Sequence, residues 1–208
     1  MKQPHLELLF PTPVILLDVE RHLEYKEKFV PLLMEKMKDN PGNSLQWNSI
    51  DNCWSATHDL VGDDLTPIDE QIENAVRGFI GYCKGFPYPY EGNLEYQGWW
   101  NVYNQHAYME IHDHAECAIS GIYYLQLDLN KDYPAGFMNP CSQLIERWSS
   151  NNNMGDKNSV FMSHTHPNFL DIKEGMLLLF PPHLQHFVRS SKTLDEHYRI
   201  SYAFNVSI

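Results

Sequence analysis

The chain has 208 residues, 43% of them hydrophobic and 20% charged, which is the balance of a folded globular protein and excludes a disordered one. Its 15 basic residues face 27 acidic ones, and a net charge of −12 repels phosphate backbones and anionic bilayers, so neither nucleic acid nor membrane is an expected partner. The cysteines Cys53, Cys83, Cys117 and Cys141 form no CxxC pair, which argues against a zinc knuckle or redox pair and for free thiols.

The N-terminal stretch MKQPHLELLFPTPVILLDVE is broken by prolines and reads as neither a signal peptide nor a membrane span, so a cytoplasmic location is expected. A first helix is predicted over about 19–38. Its apolar positions Leu23, Val30, Leu33, Met34 and Met37 recur at helical spacing, and Pro31 is expected to kink or break it. Trp47, Trp54 and His58 follow in a Ser/Asn/Asp-rich stretch that reads as a surface loop or a lid over a site. The second helix is better signalled. Thr66-Pro67-Ile68-Asp69 offers a capping hydroxyl, a proline at the first position and an acid in the first turn. Ile68, Ile72, Val76, Phe79, Ile80 and Cys83 then make an apolar stripe, and Gly85-Phe86-Pro87 ends it. Phe86-Pro87-Tyr88-Pro89-Tyr90 reads as a rigid connector.

From Trp99 onward the pattern becomes that of strands, predicted at 99–103, 108–114, 119–127, 159–163, 176–180, 183–188 and 198–206, with an exposed loop over 149–158. Helices followed by strands suggest one domain over 1–208. Its helical part, about 1–95, would pack on the outside of an antiparallel sandwich or barrel of about 96–208.

Two constellations could carry chemistry. In Ile111-His112-Asp113-His114, strand alternation puts His112 and His114 on one face, where they could share a metal, and Asp113 on the other. Neutral imidazole suits iron, zinc, copper and nickel, although two hydrogen-bonded structural histidines would look the same in sequence. The second runs from the buried strand Met176-Leu177-Leu178-Leu179-Phe180 through a Pro-Pro turn to His186 and on to Arg199-Ile200-Ser201. The guanidinium fork of Arg199, with Ser201 on its face, matches a carboxylate; an internal ion pair is the plainer alternative. His164 and His166 form a second alternate pair without an Arg-x-Ser at matching distance, and His183 reads as a loop histidine.

Two alternate histidines, a distant third and an Arg-x-Ser about a dozen residues later stand in the order of the 2-oxoglutarate/iron(II) oxygenase superfamily, which this chain resembles. Within it, the chain is similar to a family of phage and bacterial proteins. The likeness is carried by Leu9-Phe10-Pro11-Thr12-Pro13-Val14, Trp99-Trp100-Asn101, His112-Asp113-His114 with Ser120-Gly121-Ile122-Tyr123-Tyr124-Leu125, the run from Gly175 to His186, and Arg199-Ile200-Ser201-Tyr202-Ala203-Phe204-Asn205. It does not reach the stretch from Asp128 to Asn158.

The resemblance implies a mainly β fold with flanking helices around a double-stranded β-helix (jelly-roll, cupin-like) core. It implies Fe(II) held by His112, His114 and His186, and 2-oxoglutarate anchored by Arg199 and Ser201. Tyr103 and Tyr124 are candidates for further hydrogen bonds to that cosubstrate, with Asn101 and Asn205 behind them. The implied reaction releases succinate and CO2 and hydroxylates a peptide or small molecule; a homodimer is allowed for, and a viral chain would work in the host cytoplasm. His114 stands where most of the superfamily has Asp or Glu, so Asp113 is kept as an alternative ligand, reachable through a strand bulge, as is Glu116. Two other readings are a cupin-type metal dioxygenase without cosubstrate, which lacks its usual glutamate here and leaves Arg199 unexplained, and a non-catalytic phage or virion-associated binding module.

Overall fold

The computed structural model describes residues 12–40, 53–57, 65–85, 89–114, 116–138 and 170–208. Its elements are β1 (Ile15–Asp18), α1 (His22–Asp39), β2 (Cys53–Thr57), α2 (Glu70–Lys84), β3 (Glu95–Tyr103), β4 (Met109–His112), β5 (Ile119–Gln126), β6 (Gly136–Phe137), β7 (Met176–Phe180), β8 (His186–Val188) and β9 (Arg199–Ser207). The larger sheet has the order β1-β7-β5-β9-β3-β2 and the smaller β4-β8-β6, with every pairing antiparallel.

Strand alternation divides the larger sheet into two faces with different tasks. Trp100, Val102, Ile119, Tyr123, Leu125, Leu177, Leu179, Ile200, Tyr202, Phe204 and Val206 point to one side and form a core with Tyr25, Phe29 and Leu33 of α1 and Ile72, Val76, Phe79 and Ile80 of α2. On the opposite side, Ile122, Tyr124, Leu178 and Phe180 pack with Phe137 of the smaller sheet and with Leu184. The helices therefore close one face of the sheet, and the space between the two sheets is left for the polar alternates of β3, β5 and β9.

The helices differ from the sequence expectations in two ways. Helix α1 runs through Pro31 without a break. Pro31 and Glu27, whose carbonyl loses its partner, are both exposed, so water can serve that carbonyl while Tyr25, Phe29 and Leu33 hold the other side to the sheet. Leu23 is 72% exposed and lies off the buried stripe. Helix α2 starts later than Thr66: its N-cap is Asp69, which accepts from the Ile72 amide at 3.0 Å. It ends at Gly85 in the left-handed conformation, φ 69°.

The first 95 residues also supply strands that the sequence reading missed. β1 pairs with β7 at one edge of the larger sheet and β2 with β3 at the other. Trp54, read as part of a loop or lid, is a buried residue of β2 whose indole donates to the Asn40 carbonyl at 2.9 Å. The two-residue strand β6 was also missed. Strand β4 stops at His112 and β8 starts only at His186, so each is shorter than expected at this end of their pairing, beside the turn that joins β7 to β8. The predicted strand at 159–163 and the loop at 149–158 lie outside the described residues.

Candidate active site

His112 closes β4 directly across from His186, the first residue of β8. His114 lies two residues past the strand end, where its amide donates to the Pro182 carbonyl at 2.9 Å and keeps it beside the same turn. The three rings converge, with centroids 4.2 Å apart for His112–His186, 5.0 Å for His114–His186 and 5.3 Å for His112–His114. Among the described residues these three form a group whose ligating atoms all lie within 4.8 Å of one another, close enough for one ion. Asp113 and Glu116 are exposed and outside this group. The register of β4 against β8 does shift between Met109 and His112, but Asp113 remains exposed and outside the converging group.

Each imidazole is fixed by what lies behind it. Nδ1 of His112 meets the Glu110 carbonyl at 2.8 Å, Nδ1 of His186 the Leu184 carbonyl at 3.0 Å, and Nδ1 of His114 the Oδ1 of Asn205 at 2.5 Å. A carbonyl only accepts, so each Nδ1 carries the hydrogen, and each Nε2 is left with a lone pair for the shared centre. Burial, reinforced by the neighbouring His112, pulls the His186 pKa down from its ordinary 6.5 to about 3. Burial likewise lowers that of His114, so both rings are held neutral, the form that binds a metal.

Deeper between the sheets, the polar alternates of β9 line up with those of its neighbours. Arg199 pairs in register with Tyr103, Ser201 with both Asn101 and Tyr124, and Asn205 with Ser120. Arg199 is 3% exposed, and its guanidinium lies 4.5 Å over the Tyr103 ring. Nη1 donates to the carbonyls of Tyr133 at 2.7 Å and Arg189 at 3.2 Å, whereas Nη2 is buried and meets no partner among the described residues. Tyr124 accepts from the Ala135 amide at 3.1 Å, which leaves its hydroxyl hydrogen free to donate. Burial pushes the Tyr124 hydroxyl up to about 12 and also raises Tyr103 well above its ordinary value, so both remain protonated donors.

One cavity joins the two ends. His112, His114 and His186 line it together with Arg199, Ser201, Tyr103, Tyr124 and Asn101, and Met109, Ile122, Val188 and Ala203 supply apolar wall. The proposed histidines, Arg199, Ser201, Tyr103, Tyr124 and Asn101 therefore meet in one place, and the alternative ligands Asp113 and Glu116 do not join them. Asn205 stands behind His114, and its Oδ1 also accepts from Ser120 Oγ at 2.9 Å. Asn101 is engaged by Ser55, whose hydroxyl donates to it at 2.5 Å. Besides the apolar wall residues, three further lining residues had no role in the sequence reading of the site: Trp99, whose ring lies stacked 6.0 Å from His114, and Tyr133 and Ala135 from the stretch without motifs. His58, His164, His166 and Trp47 lie outside the described residues.

The sequence profile of the family described as "Putative 2OG-Fe(II) oxygenase" matches residues 97–205, just over half of the chain, a range that holds every residue lining the cavity. The chain belongs to this family. The oxygenase shares its fold with HygX from Streptomyces hygroscopicus, solved with nickel, 2-oxoglutarate and hygromycin B bound, at TM-score 0.60 and 12% identity over 94% of this chain and 83% of that one. It is similar to a Pseudomonas putida prolyl-4-hydroxylase at TM-score 0.50 and 10% identity, covering 94% and 92% of the two chains. It also resembles AviO1 from Streptomyces viridochromogenes at TM-score 0.55 and 8% identity, covering 91% and 86%. At such identities the likeness is one of fold, the double-stranded β-helix expected from the motifs. No curated protein sequence matches the chain. The oxygenase is an enzyme of the iron(II)- and 2-oxoglutarate-dependent class, which sets aside both the cupin-type dioxygenase without cosubstrate and the non-catalytic module; a phage origin gains no support from these likenesses. Among the described residues, no helix is long and apolar enough to cross a membrane.

Proposed function

We propose that the oxygenase holds iron(II) through His112, His114 and His186, anchors 2-oxoglutarate on Arg199, and hydroxylates a small molecule or peptide. The observation that carries this reading is the buried Nη2 of Arg199, without an acceptor among the described residues, in the same cavity as three neutral imidazoles. A buried guanidinium donor without an acceptor is costly unless a ligand supplies one, and a carboxylate fits its fork. The donor set fits the metal too, because imidazole nitrogens suit iron(II) and all three are in the ligating tautomer.

Bound together, iron(II) and 2-oxoglutarate would supply, with dioxygen as oxidant, oxidative decarboxylation to succinate and CO2 coupled to hydroxylation of a substrate C–H bond, one oxygen atom entering succinate and the other the substrate. The protein's own residues do the rest. Arg199 receives the distal carboxylate on Nη2, with the hydroxyls of Ser201 and Tyr124 as further donors from the neighbouring register positions. The Tyr103 ring lies beneath the guanidinium and supports it through a cation–π contact. Met109, Ile122, Val188 and Ala203 exclude water, which strengthens each of these charge-assisted contacts. Three neutral imidazoles give the ion no compensating negative charge, so this site favours a dianionic cosubstrate more than one carrying a carboxylate ligand would.

A cytoplasmic setting suits the free thiols of Cys53, Cys83 and Cys117 and the need to keep iron reduced. The experiment is conversion of 2-oxoglutarate to succinate by iron(II)-loaded protein, alone and with candidate substrates. His186→Ala is expected to abolish it in a folded protein; undiminished succinate formation in that variant would contradict the proposed metal site.

A further inference from the structure

One buried carboxylate has no place in the roles assigned above. Asp132, 1% exposed, lies in the connection between β5 and β6. Its Oδ1 accepts from Ser191 Oγ at 2.7 Å and lies 2.9 Å from His197 Nε2. The residue types are those of a hydrolytic triad, but the order is wrong for one. Serine and histidine bind the same carboxylate oxygen, so the imidazole has no hydrogen bond to the hydroxyl and cannot take its proton.

The cluster instead holds the backbone that aims Arg199. Tyr133, next to Asp132, and Arg189, two residues before Ser191, provide the two carbonyls that accept from Arg199 Nη1. Ala135, whose amide fixes the Tyr124 hydroxyl, continues the same segment. The Lys192 amide donates to the Lys131 carbonyl at 2.6 Å and ties the two segments a second time. We propose that Asp132, clamped by Ser191 and His197, is a positioning residue for cosubstrate binding, because it sets the distance between the two carbonyls that orient the Arg199 guanidinium. The inference rests on the reading of Arg199 as the 2-oxoglutarate anchor.

The clamp also carries a pH readout. His197 Nδ1 meets the Asp195 carbonyl at 2.7 Å while Nε2 meets Asp132, so both ring nitrogens face acceptors and only the imidazolium satisfies both. The charged groups around the ring are Asp132, Asp195 and Lys131, the last lying 3.9 Å from Asp195. Partial burial opposes charging, but the two acceptors outweigh it and raise the pKa above its ordinary value. Above that pKa one of the two contacts is lost and the clamp loosens.

The test is anaerobic titration of 2-oxoglutarate into iron(II)-loaded protein, with iron(II) affinity measured separately. Asp132→Asn is expected to raise the 2-oxoglutarate Kd about tenfold while leaving iron(II) affinity within about twofold. Wild-type Kd should rise several-fold as pH is raised above the ordinary histidine range, and His197→Gln, neutral throughout, should flatten that rise. A folded Asp132→Asn with Kd within about twofold of wild type, or a pH dependence unchanged in His197→Gln, overturns the proposal. Should Asp132→Asn fail to fold, Ser191→Ala is judged by the same Kd criterion. A folded Arg199→Ala that keeps wild-type 2-oxoglutarate affinity would refute the anchor reading itself, a result distinct from failure of the clamp alone.

Discussion

Replacement of Arg199 by alanine should separate cosubstrate affinity from metal affinity. The guanidinium is 3% exposed, with Nη2 buried and open to a ligand. A carboxylate that loses such a partner is left desolvated without compensation, a cost of about 3 kcal/mol or more, equivalent to a Kd about 100-fold higher. Arg199→Lys keeps the charge but loses the planar fork. One ammonium cannot reach the carbonyls of Tyr133 and Arg189 and also meet the carboxylate in the same geometry, so about tenfold weaker binding is expected. The alanine variant should also be slightly less stable, since the Tyr133 and Arg189 carbonyls lose their donor at up to about 1 kcal/mol each. The assay is anaerobic titration of the absorption that 2-oxoglutarate induces on iron(II), with circular dichroism as the check on folding. A folded Arg199→Ala whose 2-oxoglutarate Kd stays within about threefold of wild type would refute the reasoning.

Asn205→Leu removes the acceptor that fixes the His114 tautomer and should weaken iron(II) binding about 10- to 100-fold in an equilibrium competition with a chelator; unchanged affinity would show that Asn205 does not orient the ligand. Asp113→Ala should leave iron(II) affinity within about twofold, because that carboxylate is exposed and outside the converging group; a loss of tenfold or more would make it a ligand. The metal-free protein should lose stability as pH falls from 6.5 toward 3. In that window the unfolded chain binds the His186 proton and the folded chain does not, which gives a slope of up to about 1.4 kcal/mol per pH unit from this one group. Urea unfolding at pH 6.5 and 5 should show the slope, shallower in His186→Gln; identical slopes would contradict a buried neutral His186.

Side chains that act through strand alternation were legible in the sequence. Arg199 and Ser201, on one side of Ile200 in β9, face the cavity because a period of two allows nothing else once the helices cover the opposite face of the larger sheet, whereas His112 ends β4 and His114, beyond it, is held beside the cavity by its amide's bond to the Pro182 carbonyl. Contacts made across long separations left no local trace. Asp132 and His197 are 65 residues apart, and Asp132 lies in a stretch with no recognisable motif, so no spacing rule could join them. The edge strands β1 and β2 were missed for a related reason: four or five residues of apolar chain become strands by pairing with β7 and β3, and pairing is not a local property. Pro31 misled because propensity places its cost inside a helix, whereas here the freed carbonyl faces water and the buried side of α1 decides.

The central claim is that three imidazoles hold one iron(II) and that Arg199 completes the site for a dicarboxylate. The most direct measurement is anaerobic titration of iron(II) into metal-free protein, followed by 2-oxoglutarate. One equivalent of iron should bind, a visible band should arise only when 2-oxoglutarate is added, and both should vanish in a folded double variant His112→Ala/His186→Ala. Iron binding that persists in that variant, or wild-type protein that binds iron and shows no change on adding 2-oxoglutarate, would contradict the account.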